Sequence, residues 1–197
     1  IKAYLGRFGA NFSIAKVKTG FQAGRPRLEY CIELRNQTVE LDAKAAGTPC
    51  FRNTLSSGDR STLALAFFLA RLATDKDTAS KVVVLDDPIT SLDGNRRFQT
   101  HQETRELLGQ AAQVVVLSHD PIFLQQLWEK TAAADRKALK LAPWGEGSQI
   151  TECDLVAETR SQYCKDYDTL ADFRLHRTTG DALKVARSIR PLSLIHI

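Results

Sequence analysis

Hydrophobic residues in the N-terminal third of the chain recur first with helical and then with strand spacing. Apolar or aromatic side chains at positions 1, 4, 5 and 8 follow a helical repeat, which predicts a short helix. The alternating stretch NFSIAKVK comes next, followed by RLEYCIELR and TVEL, which Asn36 and Gln37 separate. Two alternating runs around a polar break are typical of a hairpin, so we expect antiparallel strands in this region.

The central part of the chain alternates between helix and strand patterns. Residues 58–73 place most of their apolar side chains on one helical stripe, and the polar segment GNRRFQTHQETRELLGQ predicts a second, polar-faced helix. Two uninterrupted apolar runs, KVVVLDD and AQVVVLSHD, predict strands. Such runs are typical of parallel strands covered on both faces, so we expect an α/β fold with ligands beyond the carboxyl ends of these strands.

The C-terminal third predicts a helix, two strands and two further helices. PIFLQQLWEK begins with Pro121 at the favoured first helical position, and ALKLAP and SQITECDL indicate a pair of edge strands. Residues 159–190 predict two amphipathic helices broken near residues 178–180. The last six residues, LSLIHI, have no helical or turn pattern, and their back-translation resembles a transposon end used to prepare sequencing libraries. We interpret residues 192–197 as translated adapter.

Composition narrows the class of protein without identifying a ligand. With 197 residues and 43% hydrophobic content, the chain is long enough for one domain with or without a small appendage. A net charge of +4 permits nucleic-acid contact but does not establish it. The four cysteines lack metal-ligand spacing, which favours reduced thiols. No apolar run reaches the roughly 18 residues of a membrane span and no signal peptide is visible, so we expect a cytoplasmic protein without membrane contact.

Two short stretches carry residue types that suit phosphate chemistry. Asp86 and Asp87 directly follow an apolar run, where one carboxylate can hold Mg²⁺ and its neighbour can orient a water. On its own this pair is a weak signal, because two such carboxylates are often only a solvated strand end or a helix cap. Ser56, Ser57 and Gly58 precede an apolar helix, where they could bind a phosphate, or simply cap the helix, or do both.

Four motifs in a fixed order sharpen this interpretation. LSSGD, VVVLDDP, SLD and LSHD follow one another along the chain and resemble the signature, Walker B, D-loop and switch histidine of an ABC-type ATPase domain. The sequence is most similar to the SMC- and RecF-like branch, and within it to the ATPase domains of the RloC and PrrC group of anticodon nucleases. The resemblance covers residues 1–191 and implies the C-terminal lobe of a P-loop NTPase. It predicts a parallel sheet core, an N-terminal antiparallel part and C-terminal helices.

The resemblance also implies a role for each motif in a nucleotide-sandwich homodimer that uses ATP and Mg²⁺. Asp86 would serve Mg²⁺ through water, Asp87 would polarise the attacking water, and His119 would contact the γ-phosphate. Residues that would reach the ATP of the opposite protomer come from the signature and the D-loop, namely Leu55, Ser56, Ser57, Gly58 and Asp59 and then Ser91, Leu92 and Asp93. For Arg96 and Arg97, the pattern favours a solvated helix face over contact with phosphate or nucleic acid.

Two positions depart from the family pattern. Ser57 stands where transporters have glycine, which leaves the close approach of a phosphate less assured. Asp87 stands where most members have glutamate, and it withdraws the carboxylate by roughly 1 Å. A displacement of that size can cost about a hundredfold in rate, so we expect slow turnover.

The chain contains no G-x-x-x-x-G-K-[ST] phosphate loop. We therefore expect an N-terminal Walker A lobe of the same protein to complete the ATP site, and we expect the fragment alone to be inactive. The predicted function is an ATPase that controls the processing of DNA or RNA. The alternative is a non-hydrolysing clamp or scaffold that uses ATP only to dimerise, and Asp87 keeps this alternative open. A third interpretation is a purely structural α/β domain in which the motifs occur by chance.

Overall fold

The computed structural model of the chain describes residues 1–22, 25–39, 49–176 and 182–193. These residues form two compact units, Ile1–His119 and Asp120–Ile197. The first unit begins with helix α1, Lys2–Arg7, which confirms the helix predicted at the N-terminus.

An antiparallel sheet follows α1 in the first unit. It contains β1, Phe12–Gln22, β2, Arg25–Leu34, and β3, Gln37–Val39, in that spatial order. Arg35 and Asn36 form the turn between β2 and β3 with φ of 49° and 64°. A two-residue turn with both φ values positive matches the twist of paired strands. The predicted hairpin is therefore confirmed, with its turn one residue earlier than expected.

The rest of the first unit alternates helix and strand. Helices α2, Phe51–Thr54, and α3, Ser57–Thr74, precede strand β4, Val82–Asp86, helix α4, Gly94–Leu108, and strand β5, Gln113–Leu117. β4 and β5 are parallel neighbours, with Asp86 opposite Leu117. Because parallel strands end at the same edge of a sheet, the residues that follow β4 and β5 are brought together. This parallel pair and the antiparallel N-terminal sheet confirm the predicted α/β fold class.

Two clusters of buried side chains hold the first unit together. One joins the antiparallel sheet to helices α1 and α3 through Phe12, Ile14, Ile32, Leu5 and Leu63. The other joins one face of the β4–β5 pair to α1, α3 and α4 through Val83, Leu85, Phe8, Leu69 and Leu107. Helix α3, which begins within the predicted signature, and strand β4, which ends at the predicted carboxylates, thus share one core.

The expectation of cover on both faces is wrong for β4 among the described residues. Val82 and Val84 are 58% and 53% exposed, whereas Val83 is 3% exposed. Successive side chains of a strand point to opposite faces, so the same apolar run supplies both a buried face and an exposed one. An apolar run shows that a strand can be buried on both faces, but it does not show that both faces are covered.

The second unit begins with α5, Pro121–Glu129, where Asp120 caps the helix by accepting from the backbone N–H groups of Ile122 and Phe123. Strands β6, Leu139–Trp144, and β7, Gly147–Glu152, form the predicted pair, and the pairing is antiparallel. Helices α6, Leu155–Thr159, α7, Gln162–His176, and α8, Ala182–Ser193, complete this unit. The predicted break at residues 178–180 lies outside the described residues. No helix in the described ranges is both long enough and apolar enough to span a bilayer.

Candidate functional site

Asp87 and His119 lie in contact at the adjacent ends of β4 and β5. The Asp87 backbone N–H donates to the Leu117 carbonyl at 2.9 Å, so the residue stays attached to the neighbouring strand. Its φ of 42° is in the left-handed region, which aspartate tolerates better than most residues. The Asp87 Oδ1 accepts from the His119 backbone N–H at 3.2 Å and lies 2.9 Å from His119 Nδ1. The predicted catalytic carboxylate and switch histidine are therefore direct neighbours.

The electrostatics of this pair favour an ionised carboxylate. The hydrogen bond from the His119 backbone N–H is the main cause that lowers the pKa of Asp87, and the His119 side chain adds to the effect. An ionised carboxylate can only accept hydrogen bonds, so His119 Nδ1 is the donor in this contact. His119 is 75% exposed, and its Nε2 remains available to a ligand. The pair combines an acceptor for a water proton with a ring nitrogen that can face a phosphate.

Asp86 stands one residue before this pair at the exposed end of β4. No described residue makes a hydrogen bond or an ion pair with its carboxylate. The described residues also hold no group of three or more His, Cys, Asp or Glu side chains that could bind a metal by itself. Mg²⁺ in phosphate-transfer sites is held by one or two carboxylates together with substrate phosphates. The carboxylate of Asp86 is a ligand of the kind that such a site requires.

The predicted signature loop is the N-terminus of α3. Ser56 caps this helix: its Oγ accepts from the Asp59 backbone N–H at 3.1 Å and donates to Asp59 Oδ2 at 2.7 Å. The helix-cap alternative is thereby confirmed, and the Ser56 hydroxyl already has both partners. The backbone N–H groups of Ser57 and Gly58 have no acceptor among the described residues, as expected at a helix start. Leu55 is buried and anchors the loop in the core.

The predicted D-loop lies against the signature loop. Ser91 has φ of 64°, and Asp93 caps α4 by accepting from the Arg96 backbone N–H at 3.0 Å. A Cβ atom built on Gly58 would lie 2.5 Å from the Ser91 carbonyl oxygen. The two backbones approach each other so closely that only glycine fits at position 58. Leu92, between Ser91 and Asp93, donates its backbone N–H to the Ile89 carbonyl at 3.2 Å.

Arg96 joins these two loops through its side chain. Its Nη2 lies 2.7 Å from Asp59 Oδ1 and its Nε lies 3.4 Å from Asp93 Oδ2. The Arg96 side chain is only 12% exposed, so the predicted solvated helix face is wrong for this residue. Partial burial acts to raise the pKa of Asp59, but hydrogen bonds from Ser56 and Arg96 outweigh it and lower the pKa. Asp59 therefore stays ionised beside the guanidinium.

A family model for the AAA domain matches residues 14–179. The chain belongs to the AAA domain family. No protein of curated function matches the sequence of this AAA domain. One similar solved structure comes from a study of "ATP-driven dimerization and DNA stimulated activation of SMC ATPases". Its sequence is 14% identical, the superposition covers 88% of each chain, and the TM-score is 0.48.

The AAA domain places its predicted site residues in two groups. Asp87 contacts His119, and the signature loop contacts the D-loop. Sequence reasoning missed the role of Arg96, whose partner Asp59 is 37 residues away and gives no local pattern. The one available signal was the three-residue spacing between Asp93 and Arg96, which is typical of a helix cap and its first turn. The family match supports a domain of the ATPase type.

Proposed function

We propose that this AAA domain is the C-terminal part of an ABC/SMC-like ATPase that binds and hydrolyses ATP. Residues 1–191 would supply the signature, Walker B, D-loop and switch histidine. A Walker A lobe of the same protein and a second protomer would complete the nucleotide sandwich. The observation that carries the proposal is the contact of 2.9 Å between Asp87 and His119 at the ends of two parallel strands. This is where α/β folds bind ligands.

The residues of the proposed hydrolytic site would have distinct tasks. Asp87 is ionised and would orient a water and accept its proton. His119 donates from Nδ1 to Asp87, so a contact from Nε2 to a phosphate oxygen requires the doubly protonated ring. Asp86 would hold Mg²⁺, which, when bound, neutralises charge on the phosphates.

The signature loop would serve the ATP of the opposite protomer. Because the Ser56 hydroxyl is engaged by Asp59, phosphate contact would come from the N–H groups of Ser57 and Gly58. These groups stand at the positive end of the 18-residue helix α3, which favours an anion. The D-loop residues Ser91, Leu92 and Asp93 would approach the same protomer interface beside the signature.

Single-turnover ATP hydrolysis by the complete gene product with Asp87→Asn tests the enzyme function. An asparagine oxygen can still accept from the His119 N–H, so the loop geometry is preserved while the base is lost. We expect hydrolysis to fall by about a hundredfold or more while ATP binding is unchanged. Equal rates in the two proteins, or no hydrolysis in either, would exclude the hydrolytic mechanism.

A non-hydrolysing ATP-dependent clamp is the second candidate. The observation that favours it is that the short Asp87 side chain is already bonded to His119. In the same experiment, a wild-type protein that dimerises with ATP but hydrolyses none would identify the clamp.

The proposal extends to a nucleic acid, DNA or RNA, as the molecule whose processing is controlled. It is supported by the motif similarity to the SMC- and RecF-like branch, while membership of the RloC and PrrC group and a cytoplasmic location stay predictions. We expect ATP hydrolysis to increase with duplex DNA or with transfer RNA, and steady-state rates with each would identify the class. Unchanged rates with both would remove nucleic acid from the proposal.

A further inference from the structure

The signature loop and the D-loop are joined by a guanidinium with two carboxylate partners. Arg96 Nη2 is 2.7 Å from Asp59 in the first turn of α3, and Arg96 Nε is 3.4 Å from Asp93 at the cap of α4. The Arg96 and Asp59 side chains are 12% and 17% exposed, so this pair is screened less by salt than a surface ion pair.

Backbone contacts hold the same two loops. The Gly58 backbone packs on the Ser91 carbonyl, and a Cβ built on Gly58 would also be 3.6 Å from Arg96 Nη1. The buried Thr62 hydroxyl donates to the Gly58 carbonyl at 2.8 Å, and the buried Thr100 hydroxyl donates to the Arg96 carbonyl at 2.8 Å. Each of these bonds holds the first turn of its own helix, and Arg96 connects the two helices.

The chemistry of this connection requires arginine. A guanidinium presents donors in several directions from one rigid plane, so it can bind Asp59 and Asp93 together. A lysine ammonium at the end of a flexible stem is a point charge and would not fix the same two directions. The geometry therefore depends on the shape of the cation as well as on its charge.

We propose that Arg96 is a positioning residue that fixes the signature loop relative to the D-loop, so that both loops meet a second protomer as one rigid surface. This inference rests on the proposed function, in which the two loops act across a dimer. Arg96 itself would touch neither the ATP nor the attacking water.

The test compares Arg96→Met with Arg105→Met in the complete gene product. Arg105 lies on the same helix and is exposed, and among the described residues its side chain hydrogen-bonds only to Gln102, at 3.5 Å. Sedimentation at increasing ATP gives the ATP concentration for half-maximal dimerisation, and equilibrium binding to dilute monomers gives the ATP affinity. We expect Arg96→Met to raise the half-maximal concentration about tenfold with no change in monomer affinity. Arg105→Met should match the wild type, and Arg96→Lys should lie between them.

A double-variant cycle assigns the effect to the pair. Asp59→Asn keeps an oxygen that can cap α3 but loses the charge, and it also replaces Arg96→Met if that variant does not fold. We expect the double variant Asp59→Asn with Arg96→Met to dimerise no worse than Arg96→Met alone. Additive effects, or wild-type dimerisation of Arg96→Met and Arg96→Lys, overturn the positioning role. A wild-type protein that stays monomeric with ATP overturns the proposed function itself, and the role of Arg96 with it.

Discussion

Gly58 and Ser91 mark a close backbone approach between the two loops that we assign to a dimer interface. Ser91 has a left-handed φ of 64°, and its carbonyl oxygen faces Gly58. The sequence predicted the helix cap at Ser56, because capping is a local pattern. It did not predict the contact with Ser91 or the pair between Arg96 and Asp59, because nothing in the local pattern connects residues more than 30 positions apart.

Gly58→Ala should destabilise the first unit. The added methyl group would lie 2.5 Å from the Ser91 oxygen, so one of the two backbones must shift. We expect the free energy of unfolding in urea to fall by about 1–3 kcal/mol. Gly94→Ala is the matched control, since its Cβ would meet nothing within 4 Å. Equal stabilities of the two variants would contradict the close approach.

The pH dependence of stability should reflect Asp59. The pKa of this carboxyl is lowered in the folded protein, so it contributes stability at neutral pH. That contribution is complete above the unfolded pKa of about 4 and is lost as the pH falls through the lower folded value. We expect urea unfolding between pH 7 and pH 3 to show a smaller loss of stability in Asp59→Asn than in the wild type. Parallel curves for the two proteins would be inconsistent with the lowered pKa.

At the scale of elements, helical and strand periodicity predicted the type and order of the longer elements in both units but missed the short helices α2 and α6. Which faces of these elements are buried was less predictable. The polar residues of α4 looked solvated, yet Thr100, Glu103 and Thr104 are buried. Their polar atoms are satisfied within the fold, since both hydroxyls donate to carbonyls four residues earlier and Glu103 pairs with Arg7. The coverage of β4 was also unpredictable, since it depends on elements distant in the sequence.

Neighbouring valines of β4 allow a direct test of the one-sided core. Val83→Ala removes methyl groups from a packed cluster, whereas Val84→Ala removes them from a half-exposed face. Both changes lose the same strand propensity, so their difference reports burial. We expect Val83→Ala to lower the unfolding free energy by at least about 1 kcal/mol more than Val84→Ala. Equal losses would mean that both faces of β4 are packed.

At the scale of the whole molecule, the AAA family match at residues 14–179 runs through both compact units. The ordered motifs predicted an ATPase-type domain because their chemistry is encoded in short stretches. The division of the chain after His119 was not predicted, because no change in composition marks it.

Ser57→Asp should separate dimer formation from stability in the complete gene product. Ser57 is the first residue of α3, where a carboxylate is favoured by the helix dipole, so stability should not fall. The same charge would repel a γ-phosphate bound by the Ser57 and Gly58 N–H groups. We expect ATP-dependent dimerisation in sedimentation to be lost in Ser57→Asp and retained in Ser57→Asn, which has similar size without charge. Dimerisation of both variants would place the phosphate elsewhere.

Asp59 accepts hydrogen bonds from Ser56 in its own loop and from Arg96 on α4, the helix that follows the D-loop. Its carboxyl carbon is therefore a built-in spectroscopic reporter of loop separation. With ¹³C-labelled aspartate, and Asp59→Asn to assign the resonance, the chemical shift of this single carbon would follow the gap between α3 and α4 without any attached probe.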